Sequence, residues 1–485
     1  MHPLDEFPFG SATALAAALR EKRVSSVELL EAYLQRVDRF NPSLNSVVVF
    51  DRERALHDAQ AADRAASRGE FRGPLHGLPM TVKESFDLAR HPTTQGFPPM
   101  KENIATEDAL AVQRLKAAGA VVFGKTNVPL FLGDFQSYNA IYGTTNNPWD
   151  TSRSPGGSSG GGAASLAAGL TPLEFGSDIG GSIRNPAAYC GVFGHKPTWT
   201  VIPKRGHSLA RVPVAEMDLS VIGPLARHAQ DIATAFRVTA GPDRLTSAGE
   251  RYEFAPPPAS LRDAKIAVWL DDPLAPVDDR VKDRLLAAAQ ALEREGAKVD
   301  YNARPAFDAK HAQDVYLRIL WGGIGARQGN YDELRATAAA LSSSDQSVAA
   351  MRLRSMTPSY KDYYDANNQR EALRWAWREF FDEYHCVLAP ITLTTAFAHD
   401  QSEPPADRSM TVNGKPVPYY SQLFWAGLAT CSRLPATAVP AGRATDGLPV
   451  GLQVIGPEMG DETTLWLAAQ LEKVCGGFVP PPGFA

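Results

Sequence analysis

Residues 152–169 read SRSPGGSSGGGAASLAAG, with two adjacent serines, Ser158 and Ser159, set between glycine pairs and followed by an alanine-rich run. Glycine costs backbone entropy on folding and brings no side chain to pack. A cluster of this density marks a backbone that must take unusual angles or come very close to something. One short pattern it satisfies is G-x-S-x-G (Gly156 to Gly160), the nucleophile elbow of α/β-hydrolases. That motif needs an apolar strand running straight into the serine turn. The residues in front of it, NNPWDTSRSP, read as loop, and the downstream His385 and His399 have no distinctive setting. An esterase with Ser158 as nucleophile stays open as an alternative. GAVVFGKT, from Gly119 to Thr126, matches a phosphate-binding loop, G-x-x-x-x-G-K-[ST]. Here AVVF reads as a strand and Asn127-Val128-Pro129 follows, so the loop-then-helix context fails. Lys125 is then expected to be structural or at the surface.

A third reading takes more of the chain together. After SPGGSSGG comes LTPLEFGSDIGGSIRNPAAYCGVFGHKPT, from Leu170 to Thr198. An apolar strand there delivers Ser182 beside Gly180 and Gly181. The N–H groups of Ile179, Gly180, Gly181 and Ser182 can converge on one developing negative oxygen. Upstream, HGLPMTVKESFD places Lys83 at the end of a buried strand. A lysine there is costly unless it is neutral, paired or hydrogen-bonded.

With these motifs the chain resembles the amidase signature hydrolases, strongly over residues 75–225 and more loosely around LPATAVPAG and LPVGLQVIGP near the C-terminus. The resemblance implies a catalytic unit of Lys83, Ser158 in a cis peptide, and Ser182 as nucleophile. It implies an oxyanion hole from the four N–H groups, and supporting roles for Ser159, Asp178 and Arg184. Leu132, Gly133 and Gln136 fall near positions that line the acyl pocket in relatives. The loop 201–215 offers Arg205 and Arg211 as substrate-orienting candidates. A serine needs an adjacent base, and lysine serves as one only when burial leaves it neutral. No metal and no organic cofactor are required by this chemistry.

The rest of the chain reads as an α/β scaffold. Ser25 to Glu28 offers a capping box, Val27, Leu30, Leu34 and Val37 follow at helical spacing, and Asn41-Pro42 is expected to stop the helix. ALAVQRLKAAG-AVVF and LLAAAQALEREG-AKVDY repeat a helix–glycine–strand scheme. The resemblance implies one amidase signature domain over residues 1–485. Its central mixed sheet of many strands carries helices on both faces, with a signature core at 75–225, a helical aromatic-rich segment at 305–385 that can cover a pocket, and a return to the core at 386–475. Residues 240–265 read as a surface connection.

The 485 residues carry 49 basic and 54 acidic side chains, net −5, with 44% hydrophobic residues. That balance offers no footprint for nucleic acid or an anionic membrane. The four cysteines lie far apart, as in a reducing compartment. The start, MHPLDEFPFG, lacks the pattern of a secretory leader. A cytoplasmic enzyme, monomer or homodimer, acting on a small amide or carbamate is expected. Four departures from the family stand out. Gly162 stands where relatives often carry serine, His195 stands where many carry an apolar residue, and the N-terminal hydrophobic helix of the membrane-anchored fatty-acid amide relatives is not expected here. Trp199-Thr200 also differs from the Tyr-Gly run of the glutaminyl-tRNA amidotransferase subunit, which remains an alternative. Tyr419, Tyr420, Phe424 and Trp425 favour an aryl or hydrophobic ligand, possible substrates being amides, carbamates (urethanes) and esters.

Overall fold

The structure is a computed structural model that describes residues 7–212, 214–342, 344–345 and 347–484. The opening MHPLDE, part of the stretch on which the leader expectation rests, and Pro213 of the 201–215 loop lie outside the described residues. The frame is an 11-stranded sheet. Its strands are β1 (Val47–Phe50), β2 (Pro79–Lys83), β3 (Val121–Thr126), β4 (Leu173–Asp178), β5 (Phe193–Lys196), β6 (Val221–Ala226), β7 (Lys265–Val268), β8 (Lys298–Asp300), β9 (Cys386–Pro390), β10 (Ala436–Arg443) and β11 (Pro449–Ile455). The spatial order is β1-β3-β2-β4-β6-β5-β10-β11-β9-β7-β8. The runs β3–β2–β4 and β9–β7–β8 are parallel within themselves, and the remaining pairs are antiparallel. Every residue of β2, β3, β4, β6, β9 and β11 is buried. Strands buried on both faces carry continuous apolar runs because helices cover both sides. This is the mixed α/β architecture expected from the helix–glycine–strand units.

Those units fold as read. Helix Leu110–Ala117 ends before Gly119, at φ +100°, which turns the chain into β3. Helix Asp279–Arg294 passes through Gly296, at φ +101°, into β8. The strand reading of AVVF removes the phosphate loop, and Lys125 is a buried structural residue whose Nζ donates to the Pro92 carbonyl. The surface option for it falls away. The capping box also forms, with Ser25 Oγ accepting from Glu28 N–H at 3.1 Å and Glu28 Oε2 accepting from Ser25 N–H at 2.9 Å. The expected stop at Pro42 does not occur, because the helix runs from Ser26 to Leu44. Pro42 lies in the last turn, where its missing N–H removes a single bond. The helix ends at Asn45 in the left-handed region, while Asn41 Oδ1 accepts the N–H groups of Ser46 and Val47, both at 2.9 Å.

The 305–385 segment is helical over Ala309–Gly325, Tyr331–Ala340, Val348–Met356 and Tyr360–Phe380. Its aromatic residues divide. Trp377 stacks on Phe381 with ring centroids 5.3 Å apart, whereas Tyr360 and Trp375 face solvent. One residue of this segment, Tyr316, reaches the glycine-rich centre described below.

Close strand contact yields a direct test. A Cβ on Gly223 in β6 would lie 2.1 Å from the His195 carbonyl oxygen. Gly223→Ala is therefore expected to lower stability by at least about 1–3 kcal/mol through overpacking. A urea midpoint equal to wild type would contradict this approach of β5 and β6.

Candidate active site

β2 and β4 are parallel neighbours, pairing Thr81 with Glu174 and Val82 with Phe175. Lys83, the last residue of β2, therefore continues along the same face toward Gly176. A Cβ on Gly176 would sit 2.8 Å from Ser159 Oγ, so the bare glycine is what lets that serine lie against the sheet. The fully buried helix Gly160–Ala167 covers this face, and its small residues permit the close approach.

Lys83 is completely buried, and its Nζ donates to Ser158 Oγ at 2.7 Å, Ser159 Oγ at 2.9 Å and Ser177 Oγ at 3.0 Å. Three hydroxyls thus take the three donors of an ammonium, and none of the three is a counter-ion. Burial pushes the lysine down to about 7, against the upward pull of Asp178 and Glu174. Ser159 directs its own hydroxyl at the Ser177 carbonyl, 3.3 Å away. The Gly157–Ser158 peptide is cis. Gly157 carries no side chain because a Cβ there would lie 2.3 Å from the Asp134 carbonyl oxygen and 2.5 Å from that of Gln136.

Ser182 follows β4 and is tied to the first serine cluster by the Ser159 N–H, which donates to the Ser182 carbonyl at 3.1 Å. It is 7% exposed, whereas Ser158 is 1% exposed, so Ser182 is the more accessible of the two glycine-flanked serines. Tyr316 donates to the Ile179 carbonyl at 2.8 Å. Since C=O and N–H of a trans peptide point in opposite directions, this bond turns the Gly180 N–H away from Tyr316. Gly181 N–H, one of the four expected oxyanion donors, donates instead to Asp178 Oδ1 at 2.9 Å. A carboxylate so close captures it, which leaves Ile179, Gly180 and Ser182.

Asp178 and Arg184 form a buried ion pair at 2.9 Å with both side chains fully inaccessible. Burial opposes ionisation of Asp178, but Arg184 overrides it and holds the carboxyl at about 2. Asp178 also accepts from the Ile183 N–H at 3.1 Å, while Arg184 donates to Gln453 Oε1 at 2.8 Å and Thr430 Oγ1 at 2.9 Å. The pair thereby links the turn before Ser182 to β11. Ser159, Asp178 and Arg184 all sit as scaffold groups around the lysine and the turn.

Other expected residues fall elsewhere. Gln136 is 1% exposed, and its amide is engaged at both ends by Asp400, donating to that carbonyl and accepting its N–H at 3.0 Å. Through these bonds it fastens the segment around Asp400. Leu132 is half-buried and Gly133 exposed, so both remain open to a ligand. Arg211 pairs with Asp87 at 2.7 Å and Arg205 with Asp243 at 3.1 Å, so protein carboxylates occupy both. Tyr419, Phe424 and Trp425 are buried in packing, and the adjacent Leu423 is the side chain that approaches Gly180. His195 is a core residue, with its ring nitrogens 2.9 Å from Thr437 Oγ1 and 3.2 Å from Asp461 Oδ1. The elbow reading lacks its strand, since residues 151–157 form none. His385 and His399 are engaged with Lys265 and Asn146. Among the described residues no group of His, Cys, Asp or Glu is placed to hold a metal, and no helix is long and apolar enough to cross a membrane.

Four residues at the site have no counterpart among the sequence-derived candidates: Ser177, Tyr316, Glu174 and Asn185, whose Oδ1 accepts the Gly157 N–H at 3.2 Å. Ser177, Glu174 and Asn185 stand inside the 170–198 stretch that the sequence already marks, whereas Tyr316 lies far outside it.

A protein-family model described as Amidase matches residues 28–465. The indoleacetamide hydrolase of Bradyrhizobium diazoefficiens is 34% identical over 478 residues, covering 96% of this chain and 86% of that protein. A glutamyl-tRNA(Gln) amidotransferase subunit from Anaeromyxobacter dehalogenans is 35% identical over 494 residues, covering 96% of both proteins. Among solved structures, a bacterial aryl acylamidase of the amidase signature family superposes with a TM-score of 0.80 at 25% identity, covering 96% of each chain.

Removing the guanidinium leaves the buried Asp178 with backbone N–H donors but without its ion-pair partner. Arg184→Met is expected to cost about 3–5 kcal/mol, measured by urea denaturation. A loss below about 1 kcal/mol, the range of an exposed pair, would contradict the buried geometry.

Proposed function

This chain belongs to the amidase family and is an amide-hydrolysing enzyme, and from that premise we propose a serine mechanism through Ser182, Ser158 and Lys83 on hydrophobic or aryl amides. The observation that carries the proposal is the buried Lys83 amine held in a shell of serine hydroxyls beside the glycine-bared Ser182. A neutral amine keeps two N–H donors and gains a lone pair, so one of the three hydroxyls must then donate to it. Ser159 is committed to a carbonyl, and Ser158 makes the shortest contact.

Ser182 Oγ attacks the amide carbon while its proton passes to Ser158 Oγ, whose own proton passes to Lys83 Nζ. The carbonyl oxygen takes the electron pair and meets the N–H groups of Ile179, Gly180 and Ser182. Collapse of the intermediate breaks the C–N bond, and the departing nitrogen takes a proton back along the same path. Water then attacks the acyl-enzyme by the same relay and frees Ser182.

An aryl or hydrophobic substrate is supported by the names of an indoleacetamide hydrolase and an aryl acylamidase among the similar proteins. Leu423 beside Gly180 and the half-buried Leu132 agree with it. Carbamates and esters fall within the reach of the same attack. A panel of an anilide, an aryl carbamate and a small aliphatic amide tests this, and preference for the aliphatic amide overturns it. A second reading, in which the chain needs a partner, is supported by the 35% identity to an amidotransferase subunit. Turnover by the isolated chain excludes that requirement.

Two kinetic outcomes follow from the relay. Ser182→Ala and Lys83→Met are each expected to lower kcat by about 1000-fold or more, with the double variant little worse than either. The lysine is inactive as base while protonated, so kcat/KM should rise with pH through about 7 and stay up above it. A profile flat across that range, with chemistry limiting, would rule out lysine as the base.

A further inference from the structure

Two carboxyls are fully buried on β4, four residues apart, and their surroundings are opposite. Asp178 meets a guanidinium and the N–H groups of Gly181 and Ile183. Glu174 meets hydroxyls: Thr81 Oγ1 donates to Oε2 and Thr126 Oγ1 to Oε1, the latter at 2.9 Å. Among the described residues Glu174 has no ion-pair partner. It lies opposite Thr81 in the β2–β4 register, on the face along which Lys83 extends. The sequence makes room for it, because a Cβ on Gly162 would lie 2.5 Å from Glu174 Cγ. Gly162, the position that departs from the family pattern, is bare where this carboxyl packs.

We propose that Glu174 is a protonated carboxylic acid at neutral pH, and that with Lys83 it forms an uncharged buried pair in which the lysine is the free base. This rests on the reading of Lys83 as the base. A pair holding one proton has two forms, a neutral amine with a carboxylic acid or an ammonium with a carboxylate. The charged form needs close contact to offset the desolvation of two ions. That contact is missing, since all three Lys83 hydrogen bonds go to serines. Both threonine hydroxyls donate to Glu174, which by itself favours the carboxylate, but neither carries a charge to offset its burial, and a hydroxyl can reverse to accept from the acid. Burial pushes Glu174 up and Lys83 down, the directions that favour the uncharged form. Two carboxyls in opposite environments thereby divide the roles, one ionised and one neutral.

The other charged groups do not supply a counter-ion to Glu174. Helix Gly160–Ala167 and β6 present no titratable side chain to it. Lys125 of β3 is turned to the Pro92 carbonyl. Arg184 and Lys196 act on Asp178. His207, from the 201–215 loop, contacts Ser85 Oγ at 2.9 Å and is held well below its ordinary value by burial and by Lys83. Lys83 and Glu174 therefore titrate as one unit that loses two protons in two steps. In the uncharged form the first step already frees the amine, and in the charged form only the second does.

Glu174→Gln copies the shape and neutrality of the acid, and two measurements on it decide the matter. The infrared spectrum of wild type at neutral pH should show the carbonyl stretch of a protonated carboxyl, missing in Glu174→Gln, and the acid limb of kcat/KM should stay in place. No such band overturns the proposal. So does a limb that falls by roughly one pH unit, the size of effect a lost counter-charge has on a buried lysine. Should the variant fail to fold, carbon-13 labelling of glutamate in wild type must shift the band, and a band that does not move overturns the proposal equally. The infrared readout needs no turnover. Lys83→Met that keeps full activity would instead remove the lysine mechanism and leave the protonation of Glu174 to be judged by its band.

Discussion

A primary amine enclosed by protein, with hydroxyls and no carboxylate in contact, is the constraint around which this molecule is arranged. Lys83 is buried at the end of β2, and its three hydrogen bonds go to serines from two different segments. Holding those segments together requires backbones closer than side chains allow. Gly157 lies on the carbonyls of Asp134 and Gln136, and Gly176 lies on Ser159. The glycine-rich stretch is thus the packing counterpart of a lysine that must be surrounded without being neutralised by an anion.

The charge layout completes the arrangement. The ionised acid beside the site, Asp178, is matched by Arg184 and spends its remaining acceptor capacity on the turn that presents Ser182. Its field pulls the Lys83 amine up, but burial is the larger effect and pushes it down to about 7. The same carboxylate withdraws the Gly181 N–H from the glycine turn. Tyr316, from a helix far along the chain, fixes the neighbouring peptide by binding the Ile179 carbonyl. The setting of the site therefore joins charges inside the signature motif to a partner, Tyr316, that the motif does not contain.

Much of this is legible in the sequence because its causes are local. Capping at Ser25, the glycine turns before β3 and β8, and the serines between glycines all follow from backbone conformation and short-range packing. The halt expected at Pro42 fails because one missing N–H in a last turn is a small loss against a helix already anchored by tertiary contacts. Gln136 and the aromatic residues near 420 look pocket-lining in the sequence, yet the partner of the first is 264 residues away and most of the others pack into the core. Residue type gives no sign of those partners. Glu174 is hidden for a related reason: in a strand, a buried acid looks like any other polar interruption until its threonine partners are located.

The central claim is that Ser182 is the attacking nucleophile and that Lys83 activates it. Treating the protein with a reactive fluorophosphonate and mapping the adduct by intact-mass and peptide mass spectrometry tests it most directly. The account predicts a single adduct, on Ser182, and its loss in Lys83→Ala. An adduct on Ser158 would contradict it and make the first serine of GGSSGG the nucleophile.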